Sequence, residues 1–425
     1  MKISELYDIY LQYPNVQTDT RKLQKGDLFF ALKGDSFDGN EYAGKALEMG
    51  ASYAVIDNQK YYLNEKTILV DNVLECLQTL ARFHREQFTI PFIAITGSNG
   101  KTTTKELVHT ALKTTYCTYA TEGNLNNHIG VPLTLLKIKK DAQMAIIEMG
   151  ANHQKEIESY CQIALPTHGL INNCGKAHLE GFGGIEGVRK GKGELYDYLR
   201  QREGTIFINT DYNYLQQMAM GIQNQISYGS NEANLQGKVY RNEPFLEVAI
   251  ISPNKECLIK TQMVGAYNFP NVMAAVAVAS HFNIHIDIIK KAIEEYAPSN
   301  SRSQLITKGS QTIILDAYNA NPSSMQEAIK NFALSDYPNK IVMLGGMKEL
   351  GEDSLVEHQQ IIKQLQDTNW NQVILVGGDF QNVPHPYLYF ETAVEASNWY
   401  KSQKIENTAL LIKGSRAYTM EKILE

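Results

Sequence analysis

The chain has 425 residues, too many for one typical core, and this points to two or three domains. Hydrophobic residues make up 43%, ordinary for a soluble protein, and the net charge of -6 argues against a nucleic-acid binder, which needs basic surface. Residues 1–10 lack a basic head followed by an unbroken apolar stretch, and no window reaches the length of a membrane span. A cytoplasmic protein without membrane insertion is expected, taken as a monomer.

Apolar runs alternate with helical patterns along the whole chain, which predicts an α/β fold in three domains. The first block, residues 1–88, carries short buried-strand runs at 28–32, 54–56 and 68–70 and a helix pattern over 73–83. It reads as a small α/β domain, and Pro91 marks the crossing into the next block. The second block, residues 89–298, has strand runs at 92–96, 144–148, 170–173 and 206–209, each ending on a polar residue where the chain turns. Ligands of open parallel sheets bind at such carboxyl ends. Residues 226–262 alternate polar and apolar and predict a small antiparallel insert. A small-residue helix starts near Asn271 and runs through Ala279. The third block, residues 299–425, repeats the pattern with runs at 313–316, 341–345, 373–377 and 410–413, predicting a Rossmann-like doubly wound sheet.

The five cysteines are odd in number and have no short pairing, as expected of reduced thiols. Cys174 and His178 lie four apart, but no second such pair joins them, so a zinc site is not expected.

Chemistry concentrates at Thr96-Gly-Ser-Asn-Gly-Lys-Thr-Thr-Thr104. A buried strand, a turn of phosphate size and a helix start follow one another. Gly97 and Gly100 let backbone N–H groups face a polyphosphate with no Cβ in the way, and the helix N-terminus adds partial positive charge. Lys101 would reach the terminal phosphates and Thr102 a Mg²⁺ ion. Ser98, Asn99 and Thr103 complete the candidate ATP loop. Ile95 stands where the common phosphate loop has its first glycine. Glu148, at the end of its strand, is placed to bind Mg²⁺.

This compressed loop resembles that of the Mur ligase family, and the resemblance runs in order through all three blocks. It implies a central domain of P-loop type with a mostly parallel sheet, ATP and Mg²⁺, and an amide bond made through an acyl phosphate. The segment around Glu148 and that around His178 match the family's metal-binding motifs, the histidine serving a second Mg²⁺. Lys192 matches a lysine that is carbamylated in the family and becomes an anionic metal ligand; Lys190, two positions away, is its rival. Asn126 and Asn127 fall in the segment that approaches the acceptor substrate. Asp19, Thr20 and Arg21 match the module that holds the uridine nucleotide. Asn268 and Asn271 match an adenine contact, although Asn271 could instead cap the helix that follows it.

In the third block, Asp316-Ala-Tyr-Asn-Ala-Asn-Pro-Ser-Ser-Met325 resembles the branch of the family that adds D-alanyl-D-alanine to UDP-N-acetylmuramoyl-tripeptide. By that resemblance Arg302 faces the γ-phosphate and Asp316 the ATP ribose or phosphates. Asn319, Asn321, Lys413 and Ser415 serve the incoming dipeptide or domain closure. The chain departs from the family pattern at Ser301, Leu315, Ala317 and Gly346. A sibling ligase, a folylpolyglutamate synthase and a non-catalytic nucleotide-binding protein are the alternatives.

Overall fold

The structure is a computed structural model and describes residues 1–251, 256–299 and 301–425. Residues 252–255 of the predicted insert lie outside the described residues. The chain divides into two compact units, one of residues 1–94, 116–151 and 155–169, the other of residues 95–115, 152–154 and 170–425. Strands Phe92–Thr96 and His168–Ile171 carry residues of both.

The first unit begins with a parallel sheet in the order Val16–Gln17, Leu28–Phe30, Tyr53–Ile56, Thr67–Leu69. Leu28, Phe29 and Phe30 are all buried, so the run is apolar on both faces, as a covered parallel sheet requires. Phe29, Ala31, Ala43, Ala46, Ala51, Ala54 and Ile56 pack into one cluster. Helix Val73–Arg85 starts where Asn72 Oδ1 accepts the Glu75 N–H at 3.0 Å. It buries Val73, Leu77, Leu80, Ala81 and His84, one stripe at helical spacing. Arg85 fixes its far end by donating to the carbonyls of Phe88, Ala164 and Leu165 while its guanidinium lies 3.6 Å from the Phe92 ring centre. The unit continues with strands ordered His168–Ile171, Phe92–Thr96, Met144–Glu148, Thr118–Ala120, the last pair parallel.

In the second unit the strands run Cys257–Lys260, Glu247–Ile251, Leu235–Arg241, Asn224–Gly229, Thr205–Asn209, then His168–Ile171 and Phe92–Thr96. The insert expected at 226–262 is antiparallel only in its last three strands. Asn224–Gly229 pairs parallel with both neighbours and so extends the main sheet. Helix Phe269–His281 is buried on nearly every side, and its alanines let it pack closely on helix Lys101–Leu112.

A further sheet of this unit has the order Gln304–Lys308, Gln311–Asp316, Ala409–Lys413, Lys340–Gly345, Gln372–Val376, Leu388–Phe390. Its first pair is an antiparallel hairpin turning at Gly309, where φ is +60°, and the rest are parallel. The parallel strands bring Asp316, Lys413 and Gly345 to one carboxyl edge. Ile313, Met343, Ile374, Leu410 and Ile412 form the centre of its core.

Candidate active site

The apolar run Phe92–Thr96 is wholly buried and delivers the chain into the glycine turn, and helix Lys101–Leu112 leaves it. Gly97 has φ +143° and Gly100 φ +79°. A Cβ on Gly100 would lie 2.5 Å from Asn271 Oδ1 and 2.9 Å from Asn172 Nδ2. Only glycine satisfies both the backbone angle and that approach. The helix N-terminus beyond Gly100 turns its first N–H groups and their partial positive charge toward the loop, where an anion can bind. Lys101 Nζ folds back onto the loop, donating to Gly97 O at 2.6 Å and Ser98 O at 3.3 Å. A phosphate oxygen offers the ammonium a stronger, charged partner than these carbonyls. Thr102 and Thr103 sit half-buried in the first helical turn.

The loop is shaped from outside by the segment that follows strand His168–Ile171. Ser98 N–H donates to Asn173 O at 2.9 Å, Asn99 N–H to Asn173 Oδ1 at 3.0 Å, and Ser98 Oγ to Gly175 O at 2.8 Å. Below it lies a buried amide chain. Asn172 Nδ2 donates to Thr104 Oγ1 at 2.8 Å, Thr104 Oγ1 to Asn271 Oδ1 at 3.0 Å, Asn271 Nδ2 to Asn268 Oδ1 at 2.9 Å, and Asn268 Nδ2 to Val264 O at 2.9 Å. Asn268 and Asn271, expected at the adenine, are thus brought together under the loop helix and share hydrogen bonds there. Neither side chain caps helix Phe269–His281.

The third block meets the loop directly. Asn321 caps helix Pro322–Ala333 by accepting the Ser324 N–H at 2.9 Å, and its Nδ2 donates to Asn99 Oδ1 at 2.7 Å. Ser323 Oγ accepts the Lys176 N–H at 2.9 Å. Lys176 Nζ in turn lies 2.5 Å from Oε1 of the buried Glu357. His178 is left-handed, φ +53°, and its Nδ1 pairs with the Glu349 carboxylate. Contact with His178 holds the Glu349 carboxyl below the ordinary carboxylate range.

Lys192, on helix Ile185–Gln201, is 1% exposed with its Nζ 4.9 Å from the Phe182 ring centre, whereas Lys190 faces solvent. Burial pushes the nearby Cys174 thiol up to about 12, opposed by the positive charges of Lys192 and Arg189. The Arg302 guanidinium lies over Tyr318, 3.6 Å from its ring centre. Lys413 Nζ bonds Asp316 Oδ2 at 2.5 Å and approaches Asn319 O at 3.4 Å. Asp316 Oδ1 also accepts the Ser303 N–H at 3.2 Å. Asn319 is exposed; Ser415 is buried and its N–H donates to Gly346 O at 3.2 Å.

In the first unit, Glu148 is 1% exposed and its Oε1 accepts from Asn126 Nδ2 at 2.8 Å. Thr121 Oγ1 accepts the Glu148 N–H at 2.9 Å, so one short segment fixes both ends of this residue. Asn127 Oδ1 accepts the Ile129 and Gly130 N–H groups at the start of helix Gly130–Leu135. Asp19 caps the turn Thr20–Lys22 and takes the Arg21 guanidinium in a paired contact, which holds its carboxyl down at about 2. Among the described residues, no three His, Cys, Asp or Glu side chains gather as a metal cluster.

Sequence reasoning did not single out Thr104, Asn172 and Asn173, or the cross-block partners Lys176, Ser323, Glu349 and Glu357. Asn172 and Asn173 end the expected strand run 170–173, as Glu148 ends 144–148. The other partners meet only through tertiary structure and left no local signal.

Family models match nearly the whole chain: "Mur ligase family, catalytic domain" over residues 12–85, "Mur ligase middle domain" over 95–279 and "Mur ligase, glutamate ligase domain" over 301–416. The UDP-N-acetylmuramoyl-tripeptide–D-alanyl-D-alanine ligase of Haemophilus influenzae is 33% identical, covering 98% of this chain and 94% of that protein. A crystal structure of MurF from Acinetobacter baumannii superposes with a TM-score of 0.89 at 28% identity, covering 100% of this chain and 97% of that one. MurF ligase from Thermotoga maritima in complex with ADP gives a TM-score of 0.87 at 25% identity over 97% of each chain. The glycine turn, the segments that brace it and full-length likeness to these ligases agree: the chain belongs to the Mur ligase family.

Proposed function

We propose that this enzyme uses ATP to join D-alanyl-D-alanine to UDP-N-acetylmuramoyl-tripeptide, a step of peptidoglycan precursor synthesis in the cytoplasm. The likeness to ligases of that name over nearly the full chain carries the reading. Residues 1–88 hold the uridine nucleotide, with Asp19, Thr20 and Arg21 meeting uracil and diphosphate. Residues 89–298 hold ATP, and residues 299–425 close over it. The working form is a monomer.

The loop residues Gly97, Ser98, Asn99, Gly100, Lys101, Thr102 and Thr103 cradle the triphosphate. Asn268 and Asn271 meet adenine, Asn268 with the second N–H of its amide. Lys101 leaves its carbonyl partners for the terminal phosphates, and Arg302 leaves the Tyr318 face for the γ-phosphate. The γ-phosphoryl group passes to the terminal carboxylate of the tripeptide and ADP departs. The dipeptide amine then attacks the acyl phosphate, phosphate leaves, and an amide remains. These steps need alignment and charge neutralisation more than a protein nucleophile. An α-amine with a pKa of about 8 is already partly neutral at cell pH.

Thr102, Glu148, His178 and Lys192 are each candidate ligands of Mg²⁺, the histidine for a second ion. A hydroxyl, a carboxylate and a lysine carbamate are hard oxygen donors suited to that ion. Lys192 is 1% exposed, and a neutral lysine amine is the form that captures CO₂. Bound there, Mg²⁺ supplies charge neutralisation between the two anionic substrates. Asn126 and Asn127 approach the acceptor, and Asn319, Asn321, Lys413 and Ser415 serve the dipeptide or the closing of the third block, which excludes water from the acyl phosphate.

Phosphate release with purified protein tests this. Release that requires ATP, the UDP-tripeptide and D-alanyl-D-alanine together is the expected result. Release with a single amino acid as acceptor would identify a sibling ligase, release with folate and glutamate a folylpolyglutamate synthase, and none with any pair a non-catalytic binder.

A further inference from the structure

Glu349 lies in Gly345-Gly-Met-Lys-Glu-Leu-Gly351, a segment of the third block that has no part in the reaction described above. Its carboxylate reaches His178 Nδ1 on the central block. The contact is built rather than incidental. Glu349 sits between Met347 and Leu350, which are 2% and 3% exposed and anchor the segment in the core. Met347 N–H donates at 3.1 Å to Nε2 of the fully buried His358, whose ring is braced edge-on against Phe380. Both Glu349 and His178 hold left-handed backbone, φ +62° and +53°, which side chains other than glycine adopt only when their surroundings enforce it. On the far side, His178 O accepts the Phe182 N–H at 3.1 Å and fixes the start of helix Leu179–Phe182. A Cβ on Gly351, where φ is +54°, would lie 3.2 Å from the Glu180 side chain, so the two segments are in close contact beside the pair.

We propose that Glu349 is a positioning residue for His178: it accepts the Nδ1–H, holds the ring in one tautomer and leaves the Nε2 lone pair as the donor to a divalent cation. This rests on the reading that His178 binds Mg²⁺. Ligating histidines commonly give their second ring N–H to a carboxylate, which fixes the ring and raises its basicity. Here that carboxylate comes from a different block than the histidine. Loop docking and cation binding therefore favour each other, and each strengthens the other by the same factor.

The test uses the full-length protein with ¹⁵N-labelled histidine, the His178 signal being assigned by its loss in His178→Gln. Two-bond ¹⁵N–¹H spectra should show the Nδ1–H tautomer in the parent, a shift toward Nε2–H in Glu349→Ala, and a return in Glu349→Asp. Mn²⁺ binding, followed by electron paramagnetic resonance with a non-hydrolysable ATP analogue present, should weaken by about 10- to 100-fold in Glu349→Ala. Glu349 is half-exposed, so its replacement leaves the fold intact, which a thermal melt verifies. An unchanged tautomer in Glu349→Ala overturns the proposal. So does unchanged Mn²⁺ affinity in Glu349→Ala when His178→Gln binds the ion poorly. Normal Mn²⁺ binding by His178→Gln overturns the metal reading itself, and the proposal with it.

Discussion

At the scale of single residues, the glycine turn makes the sharpest demands. Gly100→Ala places a methyl 2.5 Å from Asn271 Oδ1 at a φ of +79°, so both the backbone and the buried amide chain must shift. A loss of about 1–3 kcal/mol in urea unfolding is expected, together with weaker nucleotide binding. Lys101→Ala removes a half-buried side chain whose ammonium donates to the loop's own carbonyls, Gly97 O and Ser98 O. The rate should suffer more than the fold: kcat falls by about 10²- to 10³-fold, the usual cost of one lost charge-stabilising donor. Unfolding curves and steady-state rates on one preparation separate the two effects. Gly97, Gly100 and Lys101 were legible in the sequence because a strand, a turn and a helix start are local signals. Asn172 and Asn271 stand far from the loop in sequence, and only tertiary structure brings them beneath Gly100. The rivalry of Lys190 and Lys192 was likewise beyond spacing alone; burial separates them, with Lys192 inside and Lys190 in solvent.

At the scale of elements, helix Pro322–Ala333 carries two functions on one residue. Asn321 Oδ1 caps the helix, and its Nδ2 holds Asn99 of the phosphate loop. Asn321→Asp keeps the cap and removes the donor to Asn99, whereas Asn321→Ala removes both. Alanine should cost about 1 kcal/mol of stability and aspartate much less, while both raise KM for ATP. Equal stability of the two variants would show that the cap contributes nothing. The pair Lys413–Asp316 ties two neighbouring parallel strands at their carboxyl edge, with Lys413 2% exposed. Lys413→Met leaves the Asp316 carboxylate without its main counter-charge and should cost about 3–5 kcal/mol in a chemical melt. The edge itself was visible in the apolar runs that stop at Thr96, Glu148, Asp316 and Lys413. Among the strands that escaped notice, Thr118–Ala120, Gln304–Lys308 and Leu388–Phe390 are short and only partly buried. The same weakness hid the parallel pairing of Asn224–Gly229, whose first residues are exposed and read as part of the antiparallel insert.

At the scale of the whole molecule, two buried histidines give stability a pH dependence. His84 lies between the Tyr7 hydroxyl and Ile138 O, and His358 between Met347 N–H and Ser354 O. Burial pushes both pKa values below the ordinary histidine value, so both rings stay neutral in the fold. Below a pH of about 6.5 the unfolded chain takes up protons that the folded chain refuses. Their stabilising contribution is thus complete above that pH and falls as the pH is lowered toward the folded values. Urea midpoints should drop from pH 7 to pH 5.5, and the drop should be shallower in a His84→Gln, His358→Gln variant. Equal slopes would assign the dependence to other groups.

The reaction itself is tested most directly by following oxygen. UDP-tripeptide labelled with ¹⁸O in its terminal carboxylate is converted with ATP and D-alanyl-D-alanine, and the released phosphate is analysed by mass. Transfer through an acyl phosphate predicts one ¹⁸O atom in each phosphate, formed in step with the lengthened peptide. Phosphate free of label would contradict it.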